Sequence, residues 1–177
     1  MQRWRVPLGF VCLALFLLLA RPRPWTLALG ALVALPGLAL RAWATGHLRK
    51  NETLATTGPY AHTRNPLYLG SLLMGVGFTI AAGNWLLVII FLAMLLGIYL
   101  PVMRVESATL AELFGEKYKQ YAQHVPLILP RLSPYRSPDQ QRVTFDSALY
   151  RRYREYRAAL GLLGAWLLLA LKALLFK

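Results

Sequence analysis

Cysteine is almost missing from this chain of 177 residues, and acids are few: Cys12 is the single thiol, and seven Asp and Glu stand against twenty Lys and Arg. One thiol excludes an internal disulfide framework and a cysteine-based metal cluster; inside an apolar run, Cys12 reads as packing. Charge of either sign is scarce too, at 15% of residues, against about 25% in soluble domains. With 57% apolar residues, the chain lacks the polar groups to coat a water-facing surface, which argues against a soluble globular enzyme. Disorder is excluded by the same hydrophobicity. Gly-x-Gly-x-x-Gly, P-loop and Ser-x-x-Lys patterns are absent, which speaks against nucleotide hydrolysis and serine acyl transfer. The three histidines, His47, His62 and His124, share no spacing that would gather them on one metal.

What the chain does have is long apolar runs. Five could cross a bilayer whose hydrocarbon core asks for roughly 20 helical residues: Val6 to Ala20, Trp25 to Ala44, Pro66 to Ala82, Trp85 to Met103 and Ala158 to Phe176. Backbone groups in lipid must be satisfied within a segment, so the expected fold is all-α, a multi-span integral membrane bundle of about five helices in one domain. The first run is followed by Arg21-Pro22-Arg23-Pro24 and not by a small-residue cleavage site, so it is expected to stay as a helix. Those prolines leave room for a tight turn only, which makes residues 1–44 a helical hairpin. Ala82-Gly83-Asn84 is the corresponding turn between the third and fourth runs.

A net charge of +13 on so apolar a chain points to anionic membrane lipids and not to nucleic acid. Sixteen of the twenty Lys and Arg fall on the side of the N-terminus, the 45–65 loop and the 104–157 stretch, taken with Arg41 near its helix end. The positive-inside rule puts that side in the cytoplasm, together with all seven acids. Any chemistry is expected there.

The first polar segment ends in Gly58-Pro59, then Asn65-Pro66. Asn65 is a good N-cap, and Pro66 suits the first turn of the third span. Gly70, Gly75 and Gly77 strip side chains from that span, which serves helix packing before it serves a ligand. In the second segment Pro101 is expected to bend or end the fourth span. Beyond it, residues 104 to 124 have helical periodicity, with Leu110, Leu113, Phe114, Tyr121 and Val125 on one stripe. Glu106 falls on that stripe, where a carboxylate is expensive unless it meets a cation or donor. A structural ion pair with Arg64 or Arg104 and a ligand ammonium are the two candidates. Ser137-Pro138-Asp139-Gln140 reads as a capping box, after which residues 137–177 can run as an amphipathic helix into the last span. Phe145, Leu149, Tyr153, Tyr156 and Leu160 form its apolar stripe, and Arg151, Arg154 and Arg157 suit the headgroup plane.

Taken together, Gly58-Pro59-Tyr60, Arg64-Asn65-Pro66-Leu67-Tyr68-Leu69-Gly70, Glu106 with Leu110, Phe114-Gly115-Glu116, Tyr118, Tyr121, Val125-Pro126 and Pro130 resemble the integral membrane methyltransferases. That family includes isoprenylcysteine carboxyl methyltransferases and phospholipid N-methyltransferases, and the resemblance covers a motif core at residues 55–130. It implies a methyltransferase that uses S-adenosylmethionine, with Tyr60, His62, Asn65, Leu67, Tyr68 and Gly70 around the cofactor. Glu106 would hold the cofactor's amino group, and Arg64 would orient its carboxylate or the substrate. Asn65 stands where the isoprenylcysteine enzymes usually have His, a bacterial variant of the motif, and Ser107 replaces the second Glu of a doublet. The implied acceptor is a lipidic or hydrophobic small molecule, and the implied location a bacterial inner membrane.

Methyl transfer from a sulfonium asks the protein to align the reacting atoms and exclude water. A carboxylate or thiolate acceptor needs no base, whereas an amine must first lose a proton. A sterol-reductase-like NADPH enzyme and a non-enzymatic scaffold or accessory subunit are the alternatives.

Overall fold

A computed structural model describes residues 15, 16, 18–49, 52–136 and 144–175. Most of the first expected span and the Ser137 to Gln140 capping sequence lie outside them. Besides the helical residues 15, 16, 18 and 19, the described residues hold six helices and no strand: α1 (Pro24–Thr45), α2 (Pro66–Ala82), α3 (Trp85–Phe114), α4 (Glu116–His124), α5 (Ser147–Arg152) and α6 (Tyr156–Leu175), with a 3₁₀ turn at Gly58–Ala61. Among them α1, α3 and α6 are long and apolar enough to cross a bilayer. The 17 residues of α2 reach about 26 Å at 1.5 Å per residue, slightly less than the hydrocarbon core. Leu32, Leu96, Leu167 and Leu174 are each more than 60% exposed, so the outward faces are apolar, as a helical membrane bundle requires.

The tightest contact is α1 against α2, and glycine makes it possible. Gly30 faces Gly77 and Gly37 faces Gly70, an antiparallel register with the sites seven positions apart on each helix. A Cβ on Gly77 would lie 2.5 Å from the carbonyl oxygen of Gly30, and one on Gly37 would lie 2.6 Å from that of Gly70. Packing thus accounts for these glycines, the reading their helical spacing favoured. At the far end Arg21 N–H donates to the Ala82 carbonyl at 2.7 Å, Asn84 Nδ2 to Leu19 O at 2.8 Å and Lys172 Nζ to Leu18 O at 3.0 Å. Gly83 closes α2 at φ +61°, and Asn84 caps α3 by accepting from Leu86 N–H at 3.0 Å. A cluster of Ala20, Ala81, Ala82, Leu87 and Leu169, flanked by Phe78 and Trp166, fills this end.

Three expectations about helix ends are corrected. Pro101, expected to bend or end its span, does not end it: the chain passes it inside a run of 30 helical residues. Immediately before it, Leu95–Tyr99 form a π turn, whose wider bonding accommodates a residue with no N–H to give to Gly97. The helix expected across residues 104–124 is split instead at Gly115, whose φ of +56° and ψ of −128° are open to glycine alone. Leu113, expected on the apolar stripe, is exposed. Finally, α5 and α6 are separate. A turn at residues 153–155 with Arg154 at φ +55° divides them, so the stripe is also divided: Leu149 is buried, whereas Phe145, Tyr156 and Leu160 are exposed.

Candidate functional site

The opposite end of the bundle gathers the C-terminal end of α1, the start of α2 and the last turns of α3. Residues 61–65 are fixed there by the segment that follows α4. Arg64 N–H donates to Pro126 O at 2.9 Å, Arg131 N–H to His62 O at 2.9 Å and Tyr135 N–H to Ala61 O at 2.8 Å. Asn65 holds the N-cap position of α2 without capping it. Its Nδ2 donates instead to Leu127 O at 3.0 Å, so the expected local cap is replaced by a tertiary bond. A second cluster, Tyr118, Tyr121 and Val125 with Leu110 and Phe114, packs below this segment.

A cavity of about 810 Å³ opens between these elements, within the size range of small-molecule sites. Of the residues expected at a site, Tyr60, Arg64, Asn65, Leu67, Tyr68 and Glu106 line it. His62 and Gly70 do not. The ring of His62 bonds through Nδ1 to Arg131 O at 2.8 Å, and Gly70 is taken up against Gly37 and Arg41. The apolar wall comes from Met94, Ile98, Tyr99 and Val102 on α3, around the π turn. Tyr68 and Tyr99 meet edge to face, with ring centroids 6.0 Å apart.

The polar wall is organised by Arg64 and Glu106. Arg64 Nη1 donates to the Tyr118 hydroxyl at 3.4 Å, and that hydroxyl shares a 2.5 Å hydrogen bond with Ser107 Oγ. Arg64 Nε is buried with no partner among the described residues, a costly state for a charged donor. Glu106 is exposed on the cavity wall and makes no ion pair or hydrogen bond among the described residues. Neither structural partner considered for it, Arg64 or Arg104, is engaged. Burial pushes the Tyr60 hydroxyl well above the ordinary tyrosine range, and the nearby Glu106 carboxylate adds to the rise. Tyr121 is raised likewise, by burial and then by Tyr60; its hydroxyl donates to Tyr60 O at 2.7 Å.

Residues that sequence reasoning passed over also shape the site. Arg41, counted earlier only as a topology charge, lines the cavity. Its Nε and Nη2 donate to the two carboxylate oxygens of Glu155 at 2.6 and 3.1 Å, and its Nη1 reaches Ser71 Oγ and Leu67 O. No local spacing announces a pair so distant in sequence. Ser107, noted only as a departure from a motif, holds Tyr118, and Arg49 completes the cationic lining. Among the described residues no three His, Cys, Asp or Glu side chains gather into a metal site.

Comparison with known proteins matches residues 25–117 to the phospholipid methyltransferase family. The cobalt-zinc-cadmium resistance protein CzcN of Cupriavidus metallidurans is 37% identical over 143 residues, covering 75% of this chain and 64% of that protein. The nickel-cobalt-cadmium resistance protein NccN of Alcaligenes xylosoxydans xylosoxydans is 31% identical, over 76% of this chain and 66% of its own length. The protein-S-isoprenylcysteine O-methyltransferase of Schizosaccharomyces pombe is 32% identical over 81 residues, 46% of this chain and 34% of the yeast protein. The chain therefore spans less than two thirds of each of these relatives. No solved structure matches it.

Proposed function

Because this chain belongs to the phospholipid methyltransferase family, we propose that it is an S-adenosylmethionine-dependent methyltransferase acting on a lipidic or hydrophobic acceptor at the cytoplasmic membrane face. The observation that carries the reading is the pairing of opposite charges that do not pair with each other. Arg64, with an orphaned buried Nε, and Glu106, without a protein partner, line one cavity. That donor set suits an amino-acid zwitterion: a guanidinium for its carboxylate, a carboxylate for its ammonium. The residues present therefore fit the cofactor.

When bound, S-adenosylmethionine would supply a methyl group activated by its sulfonium. The chain's part is placement. The Tyr118 hydroxyl, itself bonded to Ser107, holds the Arg64 guanidinium through Nη1. The Asn65 amide is anchored through Nδ2, which leaves its oxygen as a fixed acceptor on the cavity wall. Tyr60, Tyr68 and Tyr99 offer ring faces that attract a cationic group without hydrating it, and the Met94, Ile98 and Val102 wall keeps water out. Tyr60, its hydroxyl kept protonated by burial, serves as donor and ring and not as base.

Calorimetry on the purified protein in a neutral detergent tests this. S-adenosylmethionine is expected to bind at one site per chain, and Glu106→Ala or Tyr68→Ala to abolish it while the thermal transition is retained. Undiminished binding in both variants would sink the site assignment, and no binding to the unaltered protein would sink the function.

A further inference from the structure

We propose that the methyl acceptor is an anion, and that Arg49 receives its charge; this rests on the methyltransferase reading above. Four charged side chains line or brace the cavity wall at this end: Arg41, Arg49, Arg64 and Glu106. Arg41 is spoken for, because both carboxylate oxygens of Glu155 accept from it. Arg64 and Glu106 form the zwitterion-binding couple. Arg49 is left over. It is exposed on the cavity wall, and its guanidinium has no hydrogen bond or ion pair among the described residues.

The excess is one positive charge, and a sulfonium donor would add another. An ammonium acceptor would bring a third, and like charges repel. An anionic acceptor lowers the total instead. Proton bookkeeping points the same way. An amine must give up a proton before it can attack, yet Glu106 is committed to the cofactor's ammonium and the Tyr60 hydroxyl is held protonated. An anion brings its lone pair with no proton to lose: its bond to the methyl carbon forms as the carbon–sulfur bond breaks, and that electron pair stays on sulfur. One positive and one negative charge disappear together, so no base is required. The apolar α3 wall then takes the acceptor's tail.

Two amphiphiles of equal length, dodecanoate and dodecylammonium, separate the cases when titrated by calorimetry into protein saturated with S-adenosylhomocysteine in a neutral detergent. Dodecanoate is expected to bind at least about tenfold more tightly, the difference one charge-assisted contact supplies. Arg49→Gln should remove that preference with S-adenosylmethionine affinity unchanged, and Arg49→Lys, which keeps the charge but not the fork, should restore part of it. Equal or tighter binding of the amine overturns the inference, as does dodecanoate affinity indifferent to Arg49→Gln in a variant whose thermal transition matches the parent. If S-adenosylmethionine itself fails to bind the unaltered chain, the methyltransferase reading falls instead, and the two failures stay distinct.

Discussion

Arg41 and Glu155 lie 114 positions apart and share two hydrogen bonds, with side-chain exposures of 23% and 10%. A pair this shielded, Glu155 above all, cannot lose one member cheaply, because the survivor keeps its charge with only part of its solvent. Glu155→Gln is therefore expected to destabilise the chain by about 3 kcal/mol, read as a lowered thermal midpoint in detergent. Replacing both members by Met and Leu should recover most of that loss, since the burial of two ions is itself costly. A midpoint unmoved by Glu155→Gln would mean that the pair is solvated. Residue types on a local period were legible in the sequence: Glu106 was singled out because a carboxylate on an apolar stripe is anomalous, and it lines the cavity. Glu155 was not legible, because it precedes a helix among arginines and nothing nearby reveals that Arg41 approaches it.

Helices carry a different set of consequences. The Gly30/Gly77 and Gly37/Gly70 contacts let α1 and α2 touch backbone to backbone, which brings Arg41 within reach of Leu67 and Ser71. Gly77→Ala is expected to cost about 2 kcal/mol by overpacking, whereas Gly161→Ala on α6, with nothing within 4 Å of the added methyl, should be neutral or stabilising. Thermal scans of the two variants side by side check this, and equal destabilisation would refute the packing account. Spans and turns were readable because apolar runs, Gly83-Asn84 and the Pro24 start obey local rules. The π turn before Pro101 and the break at Gly115 were not, because helical periodicity tolerates an extra residue or a single left-handed one without any change in composition. Asn65 illustrates a third cause of failure: its sequence neighbours announce a cap, yet a tertiary carbonyl outcompetes the local N–H.

Taken as one molecule, the chain concentrates its polar groups at a single end. Asp146 N–H donates to Gly46 O at 2.9 Å and Arg64 N–H to Pro126 O at 2.9 Å, so the 45–65 and 104–157 segments share that end, as the sorting of Lys and Arg required. The orientation proposed from the charge count has a direct check. After Cys12→Ser, single cysteines at Thr56 and Ser133 should both be labelled by a membrane-impermeant maleimide only from the cytoplasmic side, and one at Gly83 only from the other. Labelling of positions 56 and 133 from opposite sides would contradict the fold itself. The sequence count could sort charges between two sides, but it could not say which charges neutralise one another, and that depended on three-dimensional neighbours.

The 30 residues of α3 measure about 45 Å, some 15 Å more than a hydrocarbon core is thick. Set across a bilayer with its start at one edge of that core, the helix would carry its last turns, Glu106 among them, to the level where acyl chains end and headgroups begin. A lipidic acceptor of the kind proposed, meeting the protein there, would travel in two dimensions. Its supply is set by its mole fraction among the lipids and not by its amount per litre, so adding inert lipid at a fixed total of acceptor should slow the reaction as surely as removing acceptor does.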